Sequence, residues 1–258
     1  MRQPDSRPGP GHLGTNHPDG GSPPVTAAAI GRLAALGGLG FLVASLASDL
    51  VIGPFPRPDA PPAQLVSFYA AHHAQVGTGG LLLALSGVFF VLFGLAIWAR
   101  IRQASASPLL AGLTVIATTL AALTTLASAG TYGVLGDIGG QPAVAPAALQ
   151  AWHIMGSDGS LADSASTFLF LLAMAGAGLL ARALPRWLAW TALLLGILQL
   201  APNQVGFLAS LVFLAWTAAA GISLLFVRQA REGRKAREGR KARQDQTGYA
   251  AREEVRHA

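Results

Sequence analysis

No cysteine occurs anywhere in the chain, which excludes disulfides, thiolate metal sites and cysteine nucleophiles. Charge is nearly as scarce. Asp, Glu, Lys and Arg make up 12% of the 258 residues, about half of the roughly 25% usual in soluble domains, so a chain wetted on all sides is excluded. Lysine is confined to Lys235 and Lys241. Catalytic signatures are missing too: no phosphate-binding G-x-x-x-x-G-K-[S/T] loop, no strand-linked dinucleotide fingerprint, no G-x-S-x-G elbow and no H-E-x-x-H pair. The net charge of +6 would suit nucleic acid, but it is concentrated in one tail. Without aromatic interleaving or a reading motif, no nucleic-acid partner is expected.

What the chain has in abundance is apolar side chains, 52% of the total, at a mean hydropathy of +0.47. A hydrocarbon core about 30 Å thick needs roughly 20 apolar residues per helix. Six segments approach or exceed that length: about 30–52, 78–99, 109–135, 161–184, 185–202 and 205–227. The predicted fold class is therefore all-α, a polytopic membrane protein with a six-helix transmembrane bundle at 30–227. A Pro/Gly-rich leader at 1–29, too polar to offset its chain entropy, is predicted disordered, and a basic tail occupies 228–258. The rival reading of the first segment is a signal peptide, because Arg32, a short apolar run and Ser45-Leu46-Ala47 fit a cleavage site; the long leader ahead of it favours a retained helix.

Two local features qualify this layout. Residues 64–76 place Leu65, Phe68, Tyr69, His72 and Val76 on one helical face, predicting a short amphipathic helix on the membrane surface ahead of span two. One straight helix over 147–184 would be about 57 Å long, so a break is expected there, at Gly156 and Gly159. Within the spans, strings such as Gly37-Gly38-Leu39-Gly40 imply close helix contact, not phosphate binding.

Charge placement sets the orientation. Of the 18 basic residues, only Arg57 falls in a connection opposite the leader and tail. By the positive-inside rule both termini are expected in the cytoplasm and the protein in the plasma membrane. The tail carries a perfect tandem repeat, REGRKA at 231–236 and 237–242. Arg228, Arg231, Arg234, Lys235, Arg237, Arg240, Lys241 and Arg243 are expected to contact anionic lipid headgroups, worth about 1 kcal/mol each. The bilayer is thus the expected partner, with a homo-oligomer or a further membrane partner left open.

The polar residues of the membrane region cluster on the outer side of this topology. Asp49 closes span one, His72 precedes span two, and His153, Asp158 and Asp163 open span four. Ionisable groups inside a bilayer usually face a cavity or one another. These five residues are therefore the candidate lining of an outward-facing polar vestibule walled by spans one, three and four. The plainer reading makes Asp158, Ser160 and Asp163 helix caps, favoured by free N–H groups and the helix dipole. His72, His153, Asp158 and Asp163 are also possible metal ligands, but adjacent His72 and His73 point about 100° apart on a helix. No metal site, cofactor or catalytic residue is assigned.

The layout, the AWHIMGSDGSLADSAS approach to span four and the LPRWLAWTALLLGILQLAP connection into span five resemble a group of uncharacterised actinobacterial six-span integral membrane proteins of the domain-of-unknown-function type. The resemblance covers about residues 32–227. It implies a six-helix plasma-membrane protein and no known reaction, and it carries over no functional residue. The expected role is a non-enzymatic accessory, sensory or small-ligand-binding protein. The alternatives are a secondary transporter using Asp163, Asp49 and His153, and a membrane enzyme or metal protein.

Overall fold

The structure is a computed structural model, and it describes residues 27–104, 107–141, 143–158, 160–201 and 208–226. Among these, seven helices form: α1 (Ala27–Ile52), α2 (Pro62–Gln103), α3 (Pro108–Gly139), α4 (Pro146–Asp158), α5 (Ser160–Leu179), α6 (Arg186–Gln199) and α7 (Leu208–Phe226). Five of them, α1, α2, α3, α5 and α7, are long and apolar enough to cross a membrane. The protein is thus a multi-pass membrane protein. The assigned leader up to residue 26 and the tail from 227 onward, with its eight headgroup candidates, lie outside the described residues.

Local chemistry explains the helix ends. Gly53, at φ 72°, takes the left-handed position after α1, and its N–H returns to the Asp49 carbonyl at 2.9 Å. Proline opens α2 and α3, where a missing N–H costs nothing. The Ser107 hydroxyl caps α3 by accepting from the Leu109 N–H at 3.3 Å. After α5 the chain turns sharply: Arg182 adopts φ 53°, and the Ala183 N–H reaches back to the Ala177 carbonyl at 3.0 Å.

Residues in contact show that neighbouring helices run antiparallel. Along α1 and α2, Gly37 faces Phe93 while Ile52 faces Gly79; along α2 and α3, Gly94 faces Thr118 while Gly77 faces Gly136. Along α5 and α6, Gly178 meets Ala189 and Gly196 meets Leu171. The Trp216 Nε1–H of α7 donates to Thr191 Oγ1 of α6 at 3.0 Å, and α7 returns to α1 with Gly38 against Thr217 and Gly221 against Ala34. The six helices α1, α2, α3, α5, α6 and α7 therefore close into an up-down ring. Leu36, Leu81, Leu109, Leu180 and Leu194 point outward from it, as expected where lipid replaces water.

Three expectations about the elements change. The surface helix at 64–76 and the second span are one unbroken α2 of 42 residues, about 63 Å long and twice the hydrocarbon thickness. Gly156 lies inside α4, and Gly159, the other expected break, lies outside the described residues. α4 and α5 keep a common register on α3: Thr131 lies beside Gly156, Thr124 beside Asp163, and Leu110 beside Gly176. The short fifth span is a 14-residue α6, about 21 Å long and too short to cross alone. It nonetheless runs the full way from Arg186 to the level of Ser210 on α7, to which Gln199 is bonded.

The overhanging ends of α2 and α3, together with α4 and the 53–61 loop, build a separate head on the ring. Its core holds Ile52, Leu65, Tyr69, Leu135 and Leu149, with Phe55 and Trp152 packed against it. All five aspartates between residues 27 and 226 sit at this head end, with Arg57 the lone arginine; Arg32, Arg100, Arg102, Arg182 and Arg186 sit at the other.

Candidate functional site

On the ring axis, towards the head end, lies a cavity of about 170 Å³. Every helix of the ring lines it. α1 contributes Ser45 and Asp49, α3 Thr125, α5 Asp163 and Thr167, α6 Gln199, and α7 Ser210, while α2 supplies Leu83 and Phe90. Among the described residues the two aspartates are its only charged lining groups. Asp49 is exposed at the mouth, Asp163 is half-buried, and Ser45, Thr167 and Gln199 are buried below.

The placement of Asp163 decides between capping and lining. It lies in the first turn of α5, where the helix dipole favours an anion. Its Oδ1, however, accepts from the Thr124 hydroxyl of α3 at 3.1 Å, a bond between helices and not a cap. The single Thr124 proton is shared, because the Ala121 carbonyl lies 2.9 Å away on the other side. Ser166 completes the group, 3.0 Å from Thr124 and donating to the Asp163 carbonyl at 2.9 Å.

Below the carboxylates the cavity ends on aromatic rings. Phe41, Phe90 and Phe213 form its base, with the Phe90 ring tilted against Phe41 at 4.9 Å and edge-on to Phe213 at 6.0 Å. Phe170 backs them, 4.8 Å from Phe90. All four are buried, so the polar half of the axis is sealed from the arginine end.

The five candidate residues do not form one group. Asp49 and Asp163 share the cavity; His153 and His72 belong to the head. Asp158 ends α4, and its side chain lies outside the described residues. His153 is buried, with its ring stacked on Phe55 at 5.4 Å. Its Nε2 lies 3.2 Å from the Arg57 carbonyl, which can only accept, so in the neutral ring Nε2 carries the proton. Nδ1 then accepts from the Tyr69 hydroxyl at 2.9 Å. The imidazole is thus a clip joining α4, α2 and the 53–61 loop. Tyr69→Phe removes the donor to Nδ1 and should cost about 1 kcal/mol, read as a lowered melting temperature of purified protein. His72 stacks on Phe68 at 4.6 Å, with Nδ1 2.9 Å from the Phe68 carbonyl.

Among the described residues no three His, Asp or Glu side chains come together. Ser45, Thr125, Thr167 and Ser210 are not among the sequence candidates, though each is a hydroxyl in the half of its helix nearest the head. In the sequence Ser45 stands out only as part of a possible cleavage site. Gln199 stands one turn from the end of its span, where a polar residue signals a wet neighbour.

Comparison with family models, curated proteins and solved structures yields no match. The resemblance to actinobacterial six-span proteins therefore stands only as far as the chain itself carries it: a multi-helix protein with five candidate membrane spans and no family identified.

Proposed function

We propose that this membrane protein binds a small cationic ligand, from outside the cell, in the cavity between Asp49 and Asp163. One observation carries the reading: six helices contribute to a single cavity whose only charged lining, among the described residues, is two carboxylates. A cation offsets the cost of holding those carboxylates at the edge of a low-dielectric bundle. The surrounding hydroxyls and the Gln199 amide supply neutral ligands, and the phenyl floor offers π-faces to an ammonium group.

Orientation follows from charge. Five arginines at one end against Arg57 alone at the other support a cytoplasmic arginine end, with the cavity outside. Helix direction supports six crossings in place of five. α7 runs antiparallel to α1, so the chain must regain the head end after α5, and among the described residues α6 is the only helix between α5 and α7. Both chain termini are then cytoplasmic, which makes the inner leaflet the expected partner of the basic tail. The role is binding, in an accessory or sensory protein.

Titration calorimetry of purified protein with ammonium, alkylammonium and alkali-metal ions tests this. A saturable heat is expected for at least one cation, weakened about tenfold in Asp163→Asn, which is about 1.4 kcal/mol. No saturable binding of any cation, or unchanged affinity in both Asp163→Asn and Asp49→Asn, overturns it. The position of the cavity on the ring axis favours a second reading, a cation transporter. Flux into proteoliposomes that disappears in Asp163→Asn distinguishes transport from binding alone.

A further inference from the structure

A second cavity, unrelated to the first, opens on the outer face of the ring between α2 and α3. It has a volume of about 270 Å³. Gly94, Leu95 and Trp98 of α2 form one wall, and Val115, Thr119 and Leu126 of α3 form the other. At its base Gly94 lets α3 approach α2 closely: a Cβ there would collide with Thr118. Its walls are apolar, and Leu95, Val115 and Leu126 are exposed on the lipid side.

One end of this furrow is charged. On α2, Val91, Leu95, Trp98 and Arg102 follow at spacings of four, three and four, which places them in a single stripe. The Arg102 guanidinium carbon lies 6.0 Å from the centre of the Trp98 ring, at the limit of a cation–π contact. The stripe thus runs from aliphatic through aromatic to cationic along the membrane normal, the order in which a phospholipid presents tail, interface and phosphate.

The geometry points to a binding site for an anionic phospholipid, with one acyl chain in the α2–α3 furrow and its phosphate on Arg102. A second copy of this chain is the weaker occupant. Two copies in one bilayer share an orientation, so a symmetric contact here would set Arg102 against Arg102 at the same depth, a like-charge approach. Arg102 also lies at the arginine end, where anionic lipids draw basic side chains.

The test uses a protein retaining Trp98 alone, reconstituted in phosphatidylcholine vesicles with a small fraction of lipid brominated on its acyl chains. Brominated phosphatidylglycerol is expected to quench Trp98 about fivefold more effectively than brominated phosphatidylcholine at equal mole fraction. Arg102→Gln should remove that preference. Because removing four tryptophans risks the fold, native mass spectrometry of otherwise unaltered protein provides the second measurement. Phosphatidylglycerol adducts should survive on the parent chain and fall in Arg102→Gln. Equal quenching by both lipids, no quenching by either (a furrow covered by protein), or adducts indifferent to Arg102 each overturns the proposal.

Discussion

Gly38→Leu is expected to destabilise the bundle by about 3 kcal/mol, at the upper end for overpacking a core. In detergent it should leave little monodisperse protein at temperatures the parent chain survives. α1 is wedged between two neighbours, and consecutive glycines serve one each. A Cβ on Gly37 would lie 2.5 Å from the Phe93 nitrogen and 2.8 Å from its Cα, on α2. A Cβ on Gly38 would run into the Thr217 carbonyl of α7. Both obstacles are backbone, which cannot rotate aside as a side chain can. Gly221 meets Ala34 in the same way from the α7 side, its Cβ position lying 2.5 Å from the Ala34 carbonyl oxygen, so the α1–α7 seam has no slack in either direction. Leu39, the next residue, is 40% exposed to lipid; Leu39→Ala should cost under about 1 kcal/mol. Thermal unfolding followed by fluorescence size exclusion compares the two. Equal losses would mean that α1 is not held between two backbones.

That seam was legible in the sequence, because a G-G-L-G string inside an apolar run has few uses other than close packing. The spans themselves were legible for a similar reason, since lipid tolerates little else than long apolar helices. Asp49 and Asp163 meet in one cavity because one closes its span and the other opens its own, and the opposite directions of α1 and α5 bring both to the head end. The amphipathic face at 64–76 misled for the opposite reason. It reads as a surface helix separate from the span, yet α2 continues unbroken through Gly77, Gly79 and Gly80. Their missing side chains are used in packing: Gly77 against Gly136, Gly79 against Ile52, Gly80 against Ala129. Tertiary contact outweighs the roughly 1 kcal/mol each glycine costs a helix. His153 could not be placed from sequence at all. Its partner Tyr69 is 84 residues away, and nothing in the local pattern says which side of α4 faces the 53–61 loop.

The aromatic floor of the cavity carries the other large effect. Phe90→Ala is expected to cost about 3–5 kcal/mol, the range for deleting a buried phenyl ring. Phe90 touches Phe41, Phe93, Phe170 and Phe213, so rings from α1, α5 and α7 lose a shared neighbour at once and no single helix shift refills the gap. The void would also open directly beneath Asp49 and Asp163, joining the polar cavity to the space between the four rings. A substitution that keeps volume without aromaticity separates these consequences: Phe90→Met should recover most of the stability, because methionine adapts to irregular gaps. If a cation rests on the phenyl faces, as the proposed binding mode requires, Phe90→Met should remain stable yet bind the cation several-fold more weakly, since a cation–π contact is worth about 0.5–2 kcal/mol. Full affinity in a stable Phe90→Met protein would show that the rings only seal the cavity and that the carboxylates hold the ligand without them.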